Sequence, residues 1–441
     1  VIRNPKIALA LLTALNLLNF ADRFVLSAVI APLQDDLGLS GLSAGMLSTV
    51  FLIGYFATSP IFGVLGDRSA RPTVGRGGPG RRRTLMAAGV AVWSVATLAT
   101  GAARNLASIV TARTLVGVGE ASYGTLAPTV IDEMAPPSGV ARWMAVFSAA
   151  MPVGAALGYL IGGTVLKAHG WRFAFWVAGA PGLVLAALCM MLADPMRQRA
   201  PSAAPSETGA AGPWALVSDA ARLWRVPLYR GVVLGYAAYT FAIGGFSYWA
   251  PKYLHVQYLL DAGRASQIFG LLTVLGGIVG TLAGGWAADR LVARALSRAG
   301  ELADDGALDE IVARCNLRLT AWATGLGAPL AAASIASPSA TMFFACAFPC
   351  QVALFASNGP INLAILRSAP PTLRAVAMSV AIFAIHALGD LWSPPLIGLV
   401  SDFTSMRTAM GAVPVVFAIG AIVWARASAA SGWLTWGTRV R

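Results

Sequence analysis

The chain has 441 residues, 57% of them hydrophobic and only 12% charged, with a formal net charge of +13. A soluble domain carries about a quarter charged residues, so a soluble globular protein is excluded. The apolar residues gather instead in runs of about 20, the length a helix needs to cross about 30 Å of hydrocarbon.

Twelve such spans are predicted, defining an all-α membrane protein. The first, 6–31, aligns Asn16, Asn19 and Arg23 on one helical face at spacings of three and four, with Asp22 beside it. The second, 43–66, runs into Gly63-Val-Leu-Gly-Asp67-Arg68, then Arg71 and, beyond Pro72–Gly80, Arg81-Arg82-Arg83. After a third span at 84–102, the fourth, 106–133, carries Arg113 and Glu120 seven residues apart, two turns along one face. The fifth, 139–167, holds Gly154-x₃-Gly158-Tyr159-x₂-Gly162-Gly163, glycines spaced so that helix backbones can approach and pivot. A sixth span covers 171–192.

A Pro/Ser/Ala/Gly-rich interruption at 193–227 then divides six spans from six. The expected organisation is an N-terminal six-helix bundle (1–192), a cytoplasmic linker (193–227), and a C-terminal six-helix bundle with a cytoplasmic tail (228–441). The seventh span, 228–254, is rich in aromatics from Tyr236 to Trp249. The eighth, 264–289, ends at Asp289-Arg290, and the acidic insertion 290–315 is expected to form a short surface helix. A ninth span at 316–336 is followed by a tenth, 338–366, interrupted by Asn358-Gly-Pro360-Ile-Asn362. The eleventh, 372–401, sets His386 and Asp390 one turn apart before Ser393-Pro394-Pro395, and the twelfth is 405–427. Prolines inside helices remove backbone hydrogen bonds, so kinks are expected near Pro360 and Pro394.

The placement of charge decides what the basic excess means. Dealt to alternate sides of the membrane, 24 of the 32 Lys and Arg fall in loops or at span ends on one side and six on the other, leaving Arg23 and Arg113 deep within spans. That asymmetry is the positive-inside signal, with both termini cytoplasmic, rather than a nucleic-acid surface. The four cysteines show no metal spacing, and no cofactor pattern emerges. The chain opens Val1-Ile2-Arg3 without an initiator Met, and its long first span with Asp22-Arg23 is not read as a cleavable leader.

The halves echo each other. Ala135-Pro136-Pro137 with Arg142 recurs as Ala369-Pro370-Pro371 with Arg374, and Gly63…Asp67-Arg68 recurs as Gly285…Asp289-Arg290. Paired repeats around a midplane site are the build of alternating-access carriers. Asp67 can face the N-terminus of helix 11, where unpaired N–H groups and the positive end of the dipole favour a carboxylate. Arg68 and Arg71 can pair with Asp132 or Glu133, and Asp289-Arg290 would mirror the contact at helix 5. Together these residues, with Arg142 and Arg374, are the candidate cytoplasmic gate; Gly154, Gly158, Gly162, Pro360 and Pro394 are candidate pivots.

A charge at mid-membrane costs about 2.5–3.5 kcal/mol even on the lenient scale, so Asp22, Arg23, Arg113 and Glu120 are functional candidates by default. Burial penalises the Glu120 carboxylate while an arginine neighbour favours it, the balance a proton-coupling acid needs. The alternative is a static ion-pair network. His386 and Asp390 are a candidate second proton site or gate, with a structural hydrogen bond as the alternative.

The loop motif at Gly63–Arg68 matches that of the major facilitator superfamily, and the helix 5 glycines resemble its antiporter motif, with Tyr159 in place of Pro. Asn19-Phe-Ala-Asp22-Arg23, Gly117-Val-Gly-Glu-Ala-Ser122-Tyr123-Gly-Thr-Leu-Ala-Pro128-Thr and His386-x₂-Gly389-Asp390-x₂-Ser393-Pro394 together resemble its Spinster branch over nearly the whole chain. The resemblance implies a secondary transporter of lysophospholipids or sphingosine-1-phosphate-like lipids, proton-coupled in some members. It carries the family's functional acid and arginines onto Asp22, Arg23, Arg113 and Glu120; the candidate substrate-binding residues are then Arg23, Arg113, Asn19 and Tyr123, and the candidate proton-coupling residues Glu120 and Asp22. A monomer in a bacterial inner membrane is expected.

A small organic-anion or drug carrier of the same fold is the competing transport reading. An intramembrane aspartyl protease is disfavoured, because Ala387-Leu-Gly389-Asp390 lacks the first glycine of Gly-x-Gly-Asp and no partner aspartate occurs in a suitable span. Nothing resembles a channel selectivity filter.

Overall fold

The computed structural model describes residues 2–70, 81–136, 139–192, 213–299 and 305–429. Among them every regular element is a helix, apart from one isolated bridge between Ile2 and Leu192. Lipid offers the backbone no hydrogen bonds, so each spanning segment must satisfy its own.

The first six spans are α1 (Pro5–Leu37), α2 (Gly41–Ala70), α3 (Arg81–Gly101), α4 (Leu106–Met134), α5 (Val140–His169) and α6 (Trp171–Met190). A short helix, α7 (Pro213–Trp224), precedes α8 (Pro227–Tyr258), α9 (Ala262–Ala299) and α10 (Asp305–Ala336). The tenth span divides into α11 (Ala340–Phe355) and α12 (Asn358–Arg367), and the eleventh into α13 (Arg374–Ile385) and α14 (Ser393–Phe403). The twelfth comprises α15 (Met406–Met410) and α16 (Ala412–Ala429). Ten of these segments are long and apolar enough to cross a membrane. The other two spans, α4 and α8, are 29 and 32 residues long; α4 carries Arg113 and Glu120, and α8 is heavy in tyrosine.

Helix ends follow local chemistry. The Asn4 side chain accepts from Lys6 N to start α1, and Gly38 ends it at φ 61°, a left-handed conformation that glycine adopts without strain. Asn105 and Ser108 form a reciprocal capping box on α4. The 290–315 insertion does not make a separate surface helix: 290–299 prolongs α9 and 305–315 begins α10. Leu291, Ala293, Arg294, Ala295 and Leu296 are good helix formers with no breaker among them, so the transmembrane helix continues.

Two compact units form. The first takes Val1–Ser202 together with Tyr248–Val274 and Pro394–Met406; the second takes Ala203–Ser247, Leu275–Ser393 and Arg407–Arg441. In the first, α5 lies on α1 through its glycines: Gly154 against Leu17 O and Phe20, Gly158 against Ala21 O and Phe24, Gly162 against Ala28. Side chains at these positions would drive the helices apart. Glu133 at the end of α4 holds Arg82 of α3 in a two-pronged pair at 2.9 and 2.7 Å. The second unit reverses the polarity: Asp309 of α10 is gripped by Arg367 of α12 at 2.5 Å and by Arg374 of α13. Tyr239 on α8 donates to Leu354 O at 2.9 Å, and Trp424 on α16 donates to Val232 O at 3.0 Å.

Within the first unit α14 crosses the start of α2. Asp402 sets its carboxylate oxygens 2.6 Å from Gly41 N and 3.0 Å from Leu42 N, where a helix has unpaired donors and a positive dipole end. Gly398 rests on the Gly41 backbone and Gly45 on Pro394 and Pro395, so the two helices touch backbone to backbone. Beside this crossing, α8 sends Tyr248 OH to Ala44 O (2.5 Å), Trp249 Nε1 to Pro394 O (2.9 Å) and Lys252 Nζ to Gln34 Oε1 (2.5 Å). Asp402→Ala is expected to lower stability by about 1 kcal/mol, and Asp402→Asn, which keeps an acceptor, by less; thermal unfolding in detergent measures both.

Candidate functional site

The site is built on α4, and its glycines decide where that helix sits. Gly117 lies against Phe51 O and Tyr55 N of α2, Gly119 against Gly89 O and Trp93 N of α3, and Gly124 against the Tyr55 hydroxyl. A methyl group at 117 or 119 would run into backbone, so only glycine allows this approach. Ser122 Oγ donates to Leu85 O of α3 at 2.8 Å. The Tyr123 hydroxyl donates to Leu12 O of α1, and its ring meets Trp93 edge-on at 5.7 Å. With α4 held by three neighbours, the depth and direction of Arg113 and Glu120 are set.

All four intramembrane charges come together in the first unit. Glu120 is fully buried and accepts from Arg23 Nε at 2.7 Å through Oε2, while its Oε1 has no hydrogen-bond partner among the described residues. Asp22 accepts from the Thr97 hydroxyl of α3 through Oδ2 and leaves Oδ1 without a partner among the described residues. Arg113 is 2% exposed, yet its Nε and Nη1 have no hydrogen-bond partner among the described residues. Arg23 is the most open of the four, its side chain 27% exposed with the Tyr55 hydroxyl beside it. Rings surround it: Phe20 at 5.1 Å, Phe51 at 4.9 Å and Tyr55 at 5.4 Å from the guanidinium carbon. Asp22 lies within coulombic range of both arginines, as does Glu120.

Two acids and two arginines make the cluster neutral as a whole, while each charge remains separately addressable. Glu120 can take a proton on its free oxygen, and doing so would release Arg23. Arg113 presents donor nitrogens without a carboxylate on them, the state in which a guanidinium can grip a phosphate or carboxylate from outside.

Other sequence candidates lie elsewhere or have settled partners. Asn19 is buried, and Asn16 Nδ2 donates to Phe147 O of α5 at 2.9 Å. Tyr123 spends its hydroxyl on α1, as described. Asp289 and Arg142 are exposed, and the Arg290 guanidinium stacks on Trp286 at 3.7 Å. Arg374 pairs with Asp309. Arg71 and the side chains of Asp67 and Arg68 fall outside the described residues, while Glu133, an expected partner for those arginines, is held by Arg82.

In the second unit His386 Nδ1 lies 2.8 and 3.0 Å from the Asp390 carboxylate oxygens, so the spacing does bring this pair together. They frame a π-helical turn, His386–Asp390, in which Gly389 leaves helical geometry at φ −107°, ψ −105°. A Cβ there would meet Thr240 Oγ1 and Ala237 O of α8, and Thr240 in turn donates to Ile385 O at 2.9 Å. The break thus falls before the prolines: Pro394 and Pro395 open α14, and Pro360 opens α12, first-turn positions where a missing N–H costs nothing. π-Bulges of this kind concentrate at functional sites.

Sequence reading missed Thr97, Phe51, Tyr55 and Asp402. Phe51 and Tyr55 are four apart on α2 and share a face, but nothing local distinguishes them from ordinary packing aromatics.

Comparisons with known proteins agree with this architecture. The family model for the Major Facilitator Superfamily matches residues 12–389. A probable sphingolipid transporter, spinster homolog 2 of Arabidopsis thaliana, is 31% identical over 91% of this chain and 82% of its own length. The sphingosine-1-phosphate transporter SPNS2 of Mus musculus is 30% identical over 90% of this chain and 70% of its own. Among solved structures, a bacterial homolog of the human lysosomal transporter Spinster, inward-facing and unoccupied, superposes with a TM-score of 0.79 at 20% identity, covering 97% of this chain and 98% of that one.

Arg23→Ala is expected to destabilise the protein by about 3 kcal/mol, because it strands the buried Glu120 carboxylate. Adding Glu120→Gln should recover much of that loss. Thermal unfolding of the single and double variants checks the pair.

Proposed function

The chain belongs to the Spinster family of the major facilitator superfamily and is a multi-pass membrane transporter; from that premise we propose that it carries an anionic amphiphilic lipid, lysophospholipid or sphingosine-1-phosphate-like, by alternating access coupled to protons. The observation that carries this reading is Arg113: a buried guanidinium beside two acids, whose Nε and Nη1 have no hydrogen-bond partner among the described residues. Buried guanidinium nitrogens without hydrogen bonds are costly, and an anionic head group arriving at Arg113 offsets that cost. Relatives named as sphingolipid and sphingosine-1-phosphate transporters support the lipid over a small solute.

In this mechanism Arg113 receives the head group, with Arg23 as its neighbour and Asn19 and Tyr123 lining the approach. Glu120 and Asp22 exchange protons. Protonation of Glu120 frees Arg23 to join Arg113 on the anion; deprotonation draws Arg23 back to the carboxylate and loosens the grip. The His386–Asp390 pair acts as a second proton site at a break in the eleventh span. Gly154, Gly158 and Gly162 let α5 pivot on α1, and Pro360 and Pro394 mark the divided helices. Asp67, Arg68, Arg71, Asp289, Arg290, Arg142 and Arg374 serve the cytoplasmic gate. The protein works as a monomer in the cell membrane, a bacterial inner membrane, with both termini cytoplasmic.

Flux of labelled lysophospholipid and of sphingosine-1-phosphate into proteoliposomes, with and without a pH gradient, tests the proposal; saturable flux that responds to the gradient is expected. Failure of both lipids, with saturable uptake of a small organic anion instead, overturns the lipid assignment. Arg113→Ala should cost at least tenfold more kcat/KM for the anionic lipid than for an uncharged analogue, the value of a charge-assisted contact. Glu120→Gln should abolish the response of flux to the pH gradient while lipid binding remains measurable.

A further inference from the structure

Building on the proposed capture of an anion at Arg113, we infer that Phe51 is a positioning residue that keeps Arg113 free of the neighbouring carboxylates until substrate arrives. Arg113 has two acids within coulombic range, Asp22 and Glu120, and forms an ion pair with neither. Its guanidinium stands instead over the Phe51 ring, 5.4 Å from the centroid. The same ring carries Arg23 at 4.9 Å. One buried benzene ring, 3% exposed at the residue level, therefore serves both cations of the site.

The physical logic is a competition. A guanidinium over an aromatic face is held by the ring quadrupole, and the attraction grows as water is excluded. It is weaker than a direct buried ion pair, and that is its use here. An arginine paired with Asp22 would have to be stripped from its acid before it could bind an anionic head group; one resting on a ring can turn to the substrate without leaving a carboxylate exposed in the membrane.

The ring cannot drift. Gly117 lets the α4 backbone rest on the Phe51 carbonyl, so the α2–α4 crossing fixes the depth of the ring beside Arg113, which lies four residues before Gly117 on the same helix. This also gives a function to Gly117 within the Gly-Val-Gly-Glu stretch.

The test compares Phe51→Leu, which keeps apolar bulk without a π face, with Phe51→Tyr, which keeps the ring. With a lysophosphatidic acid as the probe, Phe51→Leu should raise KM about tenfold, with the smaller share of the loss in kcat. Uptake of an uncharged monoacylglycerol should change much less, and Phe51→Tyr should restore KM to within about twofold. Equal losses for charged and uncharged lipids, or no rescue by the ring, would overturn the role. A readout without substrate separates this inference from the transport reading: the melting loss of Phe51→Leu should largely vanish in an Arg113→Met background. Additive melting losses would show that the ring does not hold Arg113, whatever the protein carries. Coupled losses with no flux of any anionic lysolipid through the wild-type protein would support the hold and sink the transport reading instead.

Discussion

The Arg23–Glu120 ion pair, with Asp22 and Arg113 beside it, is the constraint around which the first unit is organised. Each of these charges is expensive in hydrocarbon, and only their mutual proximity makes the set tolerable. At an effective dielectric of about 20, two opposite charges about 4 Å apart gain about 4 kcal/mol. Such proximity demands that helices from four places in the sequence converge closely. The glycines of α4 permit it: Gly117 on α2, Gly119 on α3, and the α5 glycines holding α1 from behind. Thr97 then ties Asp22 in place, and the Tyr55 ring lies against Arg23.

The cluster is neutral but not saturated. Among the described residues, Glu120 and Asp22 each keep one oxygen without a partner, and Arg113 keeps two nitrogens. Leaving them open has a purpose under the proposed transport cycle, in which a head group and protons complete the valences by turns. Phe51 fits the same economy of charge, holding two cations by a weak and reversible attraction.

Away from the cluster, the helices that must bend are already divided. The eleventh span breaks at Gly389, with His386 and Asp390 bonded across the π-turn, and its far half, α14, caps α2 through Asp402. A carboxylate at a helix N-terminus is a contact made from few atoms. The sequence pointed to this chemistry at the opposite end of α2, through Asp67; the contact seen is its counterpart from the eleventh span.

Hydropathy was enough to establish twelve spans and the four intramembrane charges, because lipid forces helices to be long and apolar and makes every exception conspicuous; the family came from the resemblance carried by stretches such as Gly117–Thr129. The i, i+4 spacing of His386 and Asp390 likewise predicted their contact, since one helical turn determines it. What the sequence alone could not decide was partnership. Arg113 and Glu120 share a face of α4, yet Glu120 pairs with Arg23 from α1, 97 residues away, and Arg113 rests on Phe51 from α2. The described parts of the 290–315 insertion extend two long helices rather than forming one of their own, because Leu291–Leu296 contain no helix breaker. Contacts between distant segments depend on how closely backbones approach, and that distance is set by glycines and ring volumes on several helices at once; it exists only after the chain has folded.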